Sequence, residues 1–147
     1  MIDNGEGLKF RISTLEDLGY TFKKPEDSVP TDRIDFSMEN SLDIDAESET
    51  ITFILTPQFT TGKRDPKLIA ELAFKVIFDV KGLEQFIDEN EEGTIVVPDP
   101  LVVTLFSISY STMRGVFYEK SRGTMAERLI LPIIDPNIIL QKEENNS

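Results

Sequence analysis

Cysteine, histidine and tryptophan are all absent from this 147-residue sequence. Without cysteine there is no disulfide, no thiolate nucleophile and no thiolate-bound zinc. The missing histidine removes the commonest general base, the Ser-His-Asp triad and any imidazole-held transition metal. Positive charge is scarce too, with 15 Lys and Arg against 27 Asp and Glu, a net charge of −12. A phosphate-binding surface needs a basic excess, so no nucleic acid and no anionic membrane is expected as a partner. By charge alone a partner is basic, although acidity also serves plain solubility. No apolar run approaches the roughly 18 residues that span a bilayer. The opening Met1-Ile2-Asp3-Asn4-Gly5-Glu6-Gly7 lacks the basic start and apolar core of a signal peptide. We expect a soluble, cytoplasmic chain with no membrane insertion, and with 39% hydrophobic residues it suits one domain over 1–147.

What the sequence does contain is alternation. Leu8, Phe10 and Ile12 alternate with Lys9, Arg11 and Ser13, and Tyr20-Thr21-Phe22 either continues that strand or follows a bend at Gly19. A polar, proline-bearing loop over 24–30 follows. Ile34, Phe36 and Met38, then Leu42 and Ile44, alternate with polar residues. Ile51, Phe53, Leu55 and Phe59 share a face with Pro57, which suggests an edge strand or a bulge. Leu72, Phe74, Val76, Phe78 and Val80 form the last long strand. Strands with one apolar face predict an antiparallel sheet covered on a single side. A short helix around 83–87 and an acidic loop over 88–93, either a disordered tip or a patch for a basic partner, complete this part.

Asp99-Pro100 then marks a helix start, since Asp accepts from free amides and Pro suits the first helical position. Apolar residues recur at helical spacing up to Gly123, whose left-handed conformation stops the helix. A helix over 100–122 is roughly 35 Å long. Its centre is rich in Ser, Thr and Gly, poor formers of an isolated helix. Ser109, Thr112 and Gly115 leave room for another backbone, which reads as an oligomer contact or as a helix lying on a sheet. Arg114, among these small residues, reads as an ion pair that fixes packing. The fold class is therefore α+β, an antiparallel sheet with the long helix as the cover of its one apolar face. The ends, about 1–7 and 141–147, are expected to be flexible.

The segment after the helix, Arg122-Gly123-Thr124 and then Leu129-Ile130-Leu131-Pro132-Ile133-Ile134-Asp135, resembles the SecB export chaperone family. There a long helix closes on Arg-Gly-Thr, and a Leu-Ala-Pro-Val-Asn-Phe segment follows with its proline at the distance of Pro132. The Phe-Pro-Tyr-Ala-Arg-Glu motif of that family is missing, and Ile133-Ile134-Asp135 replaces Val-Asn-Phe. The resemblance implies a four-stranded antiparallel sheet with one long and one short helix packed on one face, a homo-oligomer (dimer or tetramer), and an apolar groove for unfolded or partner polypeptides. Phe22, Phe86, Met125 and Ile130 are the candidate groove residues.

Catalysis by carboxylates has little to build on, because most acidic residues sit on the wet side of strands. Asp43, Asp45, Glu47 and Glu49 look like an oxygen-ligand cluster but lack the glycine and loop pattern of a calcium site. Gly62-Lys63-Arg64-Asp65-Pro66 lacks the flanking residues of a phosphate loop and reads as a turn. No catalytic residue, metal or cofactor is expected. The reading is a non-enzymatic, SecB-like polypeptide-binding protein that holds unfolded or partner chains. The alternative is an assembly subunit with one dedicated folded partner.

Overall fold

A computed structural model describes residues 2–3, 9–25, 33–62, 65–86, 88–89, 95–96 and 99–136. Four long strands, β2 (Lys9–Phe22), β3 (Ile34–Asp45), β4 (Thr50–Thr61) and β5 (Lys67–Lys81), form an open antiparallel sheet in the order β2-β5-β4-β3. The two-residue β1 (Ile2–Asp3) extends the sheet beyond β2. The single α-helix among the described residues, α1 (Asp99–Ser121), packs on one face over β4 and β5. This is the architecture that the family resemblance implies.

Alternation explains the layering. Along β4 and β5 the odd and even apolar sets identified above are buried, and Leu105, Phe106, Met113 and Phe117 descend onto them from α1. Phe53 lies at the centre, its ring edge-on to Phe78 at 6.1 Å and to Phe106 at 6.0 Å. Each such fully buried side chain contributes about 1.5–3 kcal/mol by removal from water.

Register is unbroken between β3 and β4, from Ile34 opposite Thr61 to Asp45 opposite Thr50. Between β2 and β5 it shifts twice, between Ile12 and Thr14 and between Asp17 and Gly19. Tyr20-Thr21-Phe22 therefore continues the first strand across a bulge, and Gly19 supplies the required φ of 149°. Pro57 corrects the edge half of its expectation, since β4 is a central strand, while the register with β5 does shift two residues farther on, between Phe59 and Thr60. At Pro57 itself the pairing passes from Leu55–Phe74 to Gln58–Glu71 in constant register, with a gap in the ladder.

The short helix is a 3-10 turn, Leu83–Phe86, held by the β3–β4 turn beneath it. Glu49, at a left-handed φ of 56°, accepts from the amides of Gly82 at 2.5 Å and Leu83 at 3.1 Å. Asp45 likewise accepts from the amides of Ser48 and Glu47, both at 3.1 Å, and the Ser48 amide and hydroxyl above all hold its carboxyl below the ordinary value. These two carboxylates thus build turns. Asp88–Glu89 (β6) pairs with Ile95–Val96 (β7); the rest of the expected acidic loop lies outside the described residues, as do 26–30, Lys63-Arg64 and 141–147. Of the expected flexible N-terminal end, Ile2–Asp3 is strand and the remainder lies outside them.

Candidate polypeptide-binding surface

α1 ends at Ser121, and Gly123 adopts a φ of 81° that turns the chain back along the helix. Thr124 fixes this reversal: its hydroxyl donates to the Ser121 carbonyl at 2.7 Å and accepts from the Ala126 amide at 3.1 Å. That cap starts a second 3-10 turn, Met125–Arg128, where the sequence shows only a short connection. Beyond it Leu129 and Leu131 are buried while Ile130 is 74% and Ile133 is 87% exposed. Alternation thus glues the segment down through two leucines and leaves two isoleucines to solvent. The Tyr110 hydroxyl donates to the Pro132 carbonyl and ties the segment to the middle of α1.

Two contiguous grooves run between this segment and the flank of α1. The larger, about 320 Å³, is lined by Gly115, Phe117, Tyr118, Ala126 and 129–131; the smaller, about 100 Å³, by Phe106, Ser107, Tyr110, Ile133, Ile134 and Pro136. Ser111 and Arg114 line both. On the helix these residues form two neighbouring i,i+4 rows, 106/110/114/118 and 107/111/115, which lie side by side on one surface. Phe106 and Tyr110 stack, with centroids 6.4 Å apart.

Arg114 is half-buried and, among the described residues, is the one charged side chain that lines either groove. Elsewhere ion pairs join Arg11 to Asp79, Lys120 to Asp17 and Arg122 to Glu119. Burial pushes the Tyr110 phenol pKa up, while the Arg114 charge pulls it the other way.

The residues singled out in the sequence are dispersed. Ile130 lines the larger groove. Phe22 packs half-buried on the core at the end of β2, opposite Ala70, and Met125 is half-buried in the 3-10 turn; neither lines these two grooves. The Phe86 side chain lies outside the described residues. Ser109 is fully buried, its hydroxyl donating to the Leu105 carbonyl at 2.8 Å, which places it in the core rather than on an outer contact face. Thr112 is half-buried and back-bonds to Ile108, whereas Gly115 is exposed and opens the larger groove. Sequence reasoning missed Tyr118, although the i,i+4 row through Arg114 was there to be read, and Ser111 on the neighbouring row.

A second apolar strip lies on β2. Ile12 (39% exposed) and Leu15 (50%) stand opposite Phe78 and Val76 in register, on the helix-bearing face, yet at the sheet margin that α1 does not cover. The end of that strip is fastened to α1 by Lys120–Asp17 and by the Tyr20 and Ser121 hydroxyls at 3.1 Å. The Lys120 ammonium and the Gly19 amide hold the Asp17 carboxyl below its ordinary range.

No helix among the described residues is long and apolar enough to cross a membrane. No family model and no curated protein matches the chain. Among solved structures it is similar to a SecB-like chaperone of Mycobacterium tuberculosis in complex with a ChAD peptide from an antitoxin, with 16% identity, 86% of this chain and 87% of that chain covered, and a TM-score of 0.49. It is also similar to a protein of unknown function from Streptococcus agalactiae, with 14% identity, coverage of 87% and 96%, and a TM-score of 0.42.

Proposed function

We propose that this is a non-enzymatic, SecB-like, cytoplasmic protein that holds an extended stretch of another polypeptide in the trough between α1 and the segment after it. The observation that carries the proposal is the trough itself, walled by Phe117, Leu129 and Leu131 and rimmed by exposed Tyr118, Ile130 and Ile133. Single exposed apolar residues are ordinary, but a contiguous apolar set around a concavity is what binding surfaces present. The resemblance of the segment carrying Pro132 to the SecB family supports the same reading. Phe22, Phe86 and Met125 become contacts for a longer client that extends past the trough. Thr112, beside the trough on α1, becomes a contact in a homo-oligomer, with Gly115 at the border between that contact and the trough it opens.

The test is aggregation of a chemically unfolded client followed by light scattering. A stoichiometric amount of protein is expected to delay aggregation, and Ile130→Asp with Ile133→Asp to weaken the delay. No delay at excess protein counts against the proposal. A short, defined trough also suits one dedicated partner, in which case affinity purification recovers a single folded protein and aggregation of general clients is unaffected.

A further inference from the structure

We infer that Gly115 is the point at which the trough meets the main chain of its occupant, a glycine that the fold does not need and the bound segment does. This rests on the polypeptide-binding reading and names the residue by which that site recognises the backbone of an extended chain. Gly115 lies six residues inside the end of α1, exposed, where glycine weakens a helix relative to alanine. Two structural reasons that call for glycine are missing. Its backbone is not left-handed, unlike that of Gly19, Gly62, Gly82 and Gly123. Nor does another element press on it: beyond its own stretch of helix backbone, no described atom lies within 4 Å of a Cβ built there. What the missing Cβ does is open the larger groove, which Gly115 lines together with Tyr118, Leu129 and Ile130.

The shape of that groove decides what approaches. About 320 Å³ spread over the roughly 10 Å of α1 between Ser111 and Tyr118 gives a mean cross-section of about 30 Å². A helix with its side chains is about 10–12 Å across, roughly 80 Å² or more, so the helix of a second copy does not enter. An extended chain, which packs about 4.8 Å from its neighbour, does. Leaving out one Cβ deepens the helix wall by about one carbon–carbon bond, roughly 1.5 Å, which seats a backbone against the helix but houses no side chain. Side chains of the occupant instead find Phe117, Leu129 and Leu131, the apolar walls of the groove. Contact at Gly115 is therefore indifferent to the occupant's side chains and sensitive to how closely its main chain approaches.

The test uses fluorescently labelled eight-residue peptides with blocked ends in which Ser alternates with Val, Leu or Phe, with binding to the full chain read by anisotropy. Gly115→Ala is expected to raise the melting temperature by about 3 °C, from helix propensity alone, and to weaken all three peptides by the same factor, about fivefold. Thr104→Ala, on α1 but outside both grooves, is expected to leave binding unchanged, which separates loss of the contact from a change in helix stability. A melting temperature that stays or falls in Gly115→Ala shows that the fold needs this glycine and overturns the inference. Unchanged binding overturns it as well, as does a loss that grows from Val to Phe, which assigns Gly115 to a side-chain pocket. Light scattering covers the remaining occupant: a fall in particle mass in Gly115→Ala assigns the glycine to contact between copies and overturns the inference too. Failure of every peptide to bind the native protein overturns the polypeptide-binding reading itself, so the two failures are distinct.

Discussion

Tyr110 joins the middle of α1 to the returning chain with one hydroxyl, while its ring stacks on Phe106 inside the trough. Tyr110→Phe keeps the ring and removes the donor. It should lower stability by about 1 kcal/mol in urea denaturation and speed amide exchange in the segment around Leu131. Glu49 is a second residue whose conformation and chemistry oppose each other, since its φ of 56° favours glycine but its carboxylate caps two amides. Glu49→Ala should cost about 1–2 kcal/mol, and Glu49→Gly less, because glycine relieves the backbone while losing the same acceptor. Urea midpoints of the two variants check that order. At this scale the left-handed Gly123 was legible, because the apolar helical pattern stops there. The Tyr110–Pro132 bond was not, because a phenol in an amphipathic pattern gives no sign of its acceptor.

Among the elements, α1 is fastened to the sheet margin by the Lys120–Asp17 pair. Asp17 has a depressed folded pKa, so its contribution is full above the ordinary carboxylate value of 3.8 and is lost as pH falls through the lowered folded value. Both side chains are about one-third exposed, which limits the pair to about 0.5 kcal/mol. Lys120→Met should be less stable than the native protein at pH 7, with the difference shrinking as pH falls below 3.8 and gone once Asp17 is protonated in the folded protein. Thermal melts across that range decide it. Alternation made the strands and their buried faces legible, down to Leu72, Phe74, Val76, Phe78 and Val80 on one side. It did not make the sheet order legible, so Pro57 suggested a margin or a bulge, and the fold has a central strand there with its register shift two residues on. The trough escaped for a related reason: it depends on how α1 and residues 125–136 lie against each other, and no period within either one encodes that.

For the whole molecule, acidity and exposed apolar residues are opposed. The sequence has a pI of about 4.4, and near that pH the repulsion that keeps Ile130 and Ile133 of different molecules apart is gone. Turbidity should peak around pH 4.4, and Ile130→Lys with Ile133→Lys should reduce the peak at its new isoelectric point. A peak of unchanged height would assign the association to another surface, with the β2 strip of Ile12 and Leu15 as the next to vary.

The straight row Phe106, Tyr110, Arg114 and Tyr118 has a metrical consequence. Residues four apart on a helix are about 6 Å apart along its axis, and alternate residues of an extended chain are about 6.6 Å apart. For an extended client bound as proposed, the helix becomes a ruler graduated in steps of two client residues. Sliding such a client by two keeps its face toward the helix, whereas sliding it by one turns that face to water, so the trough would read the phase of a sequence before its letters.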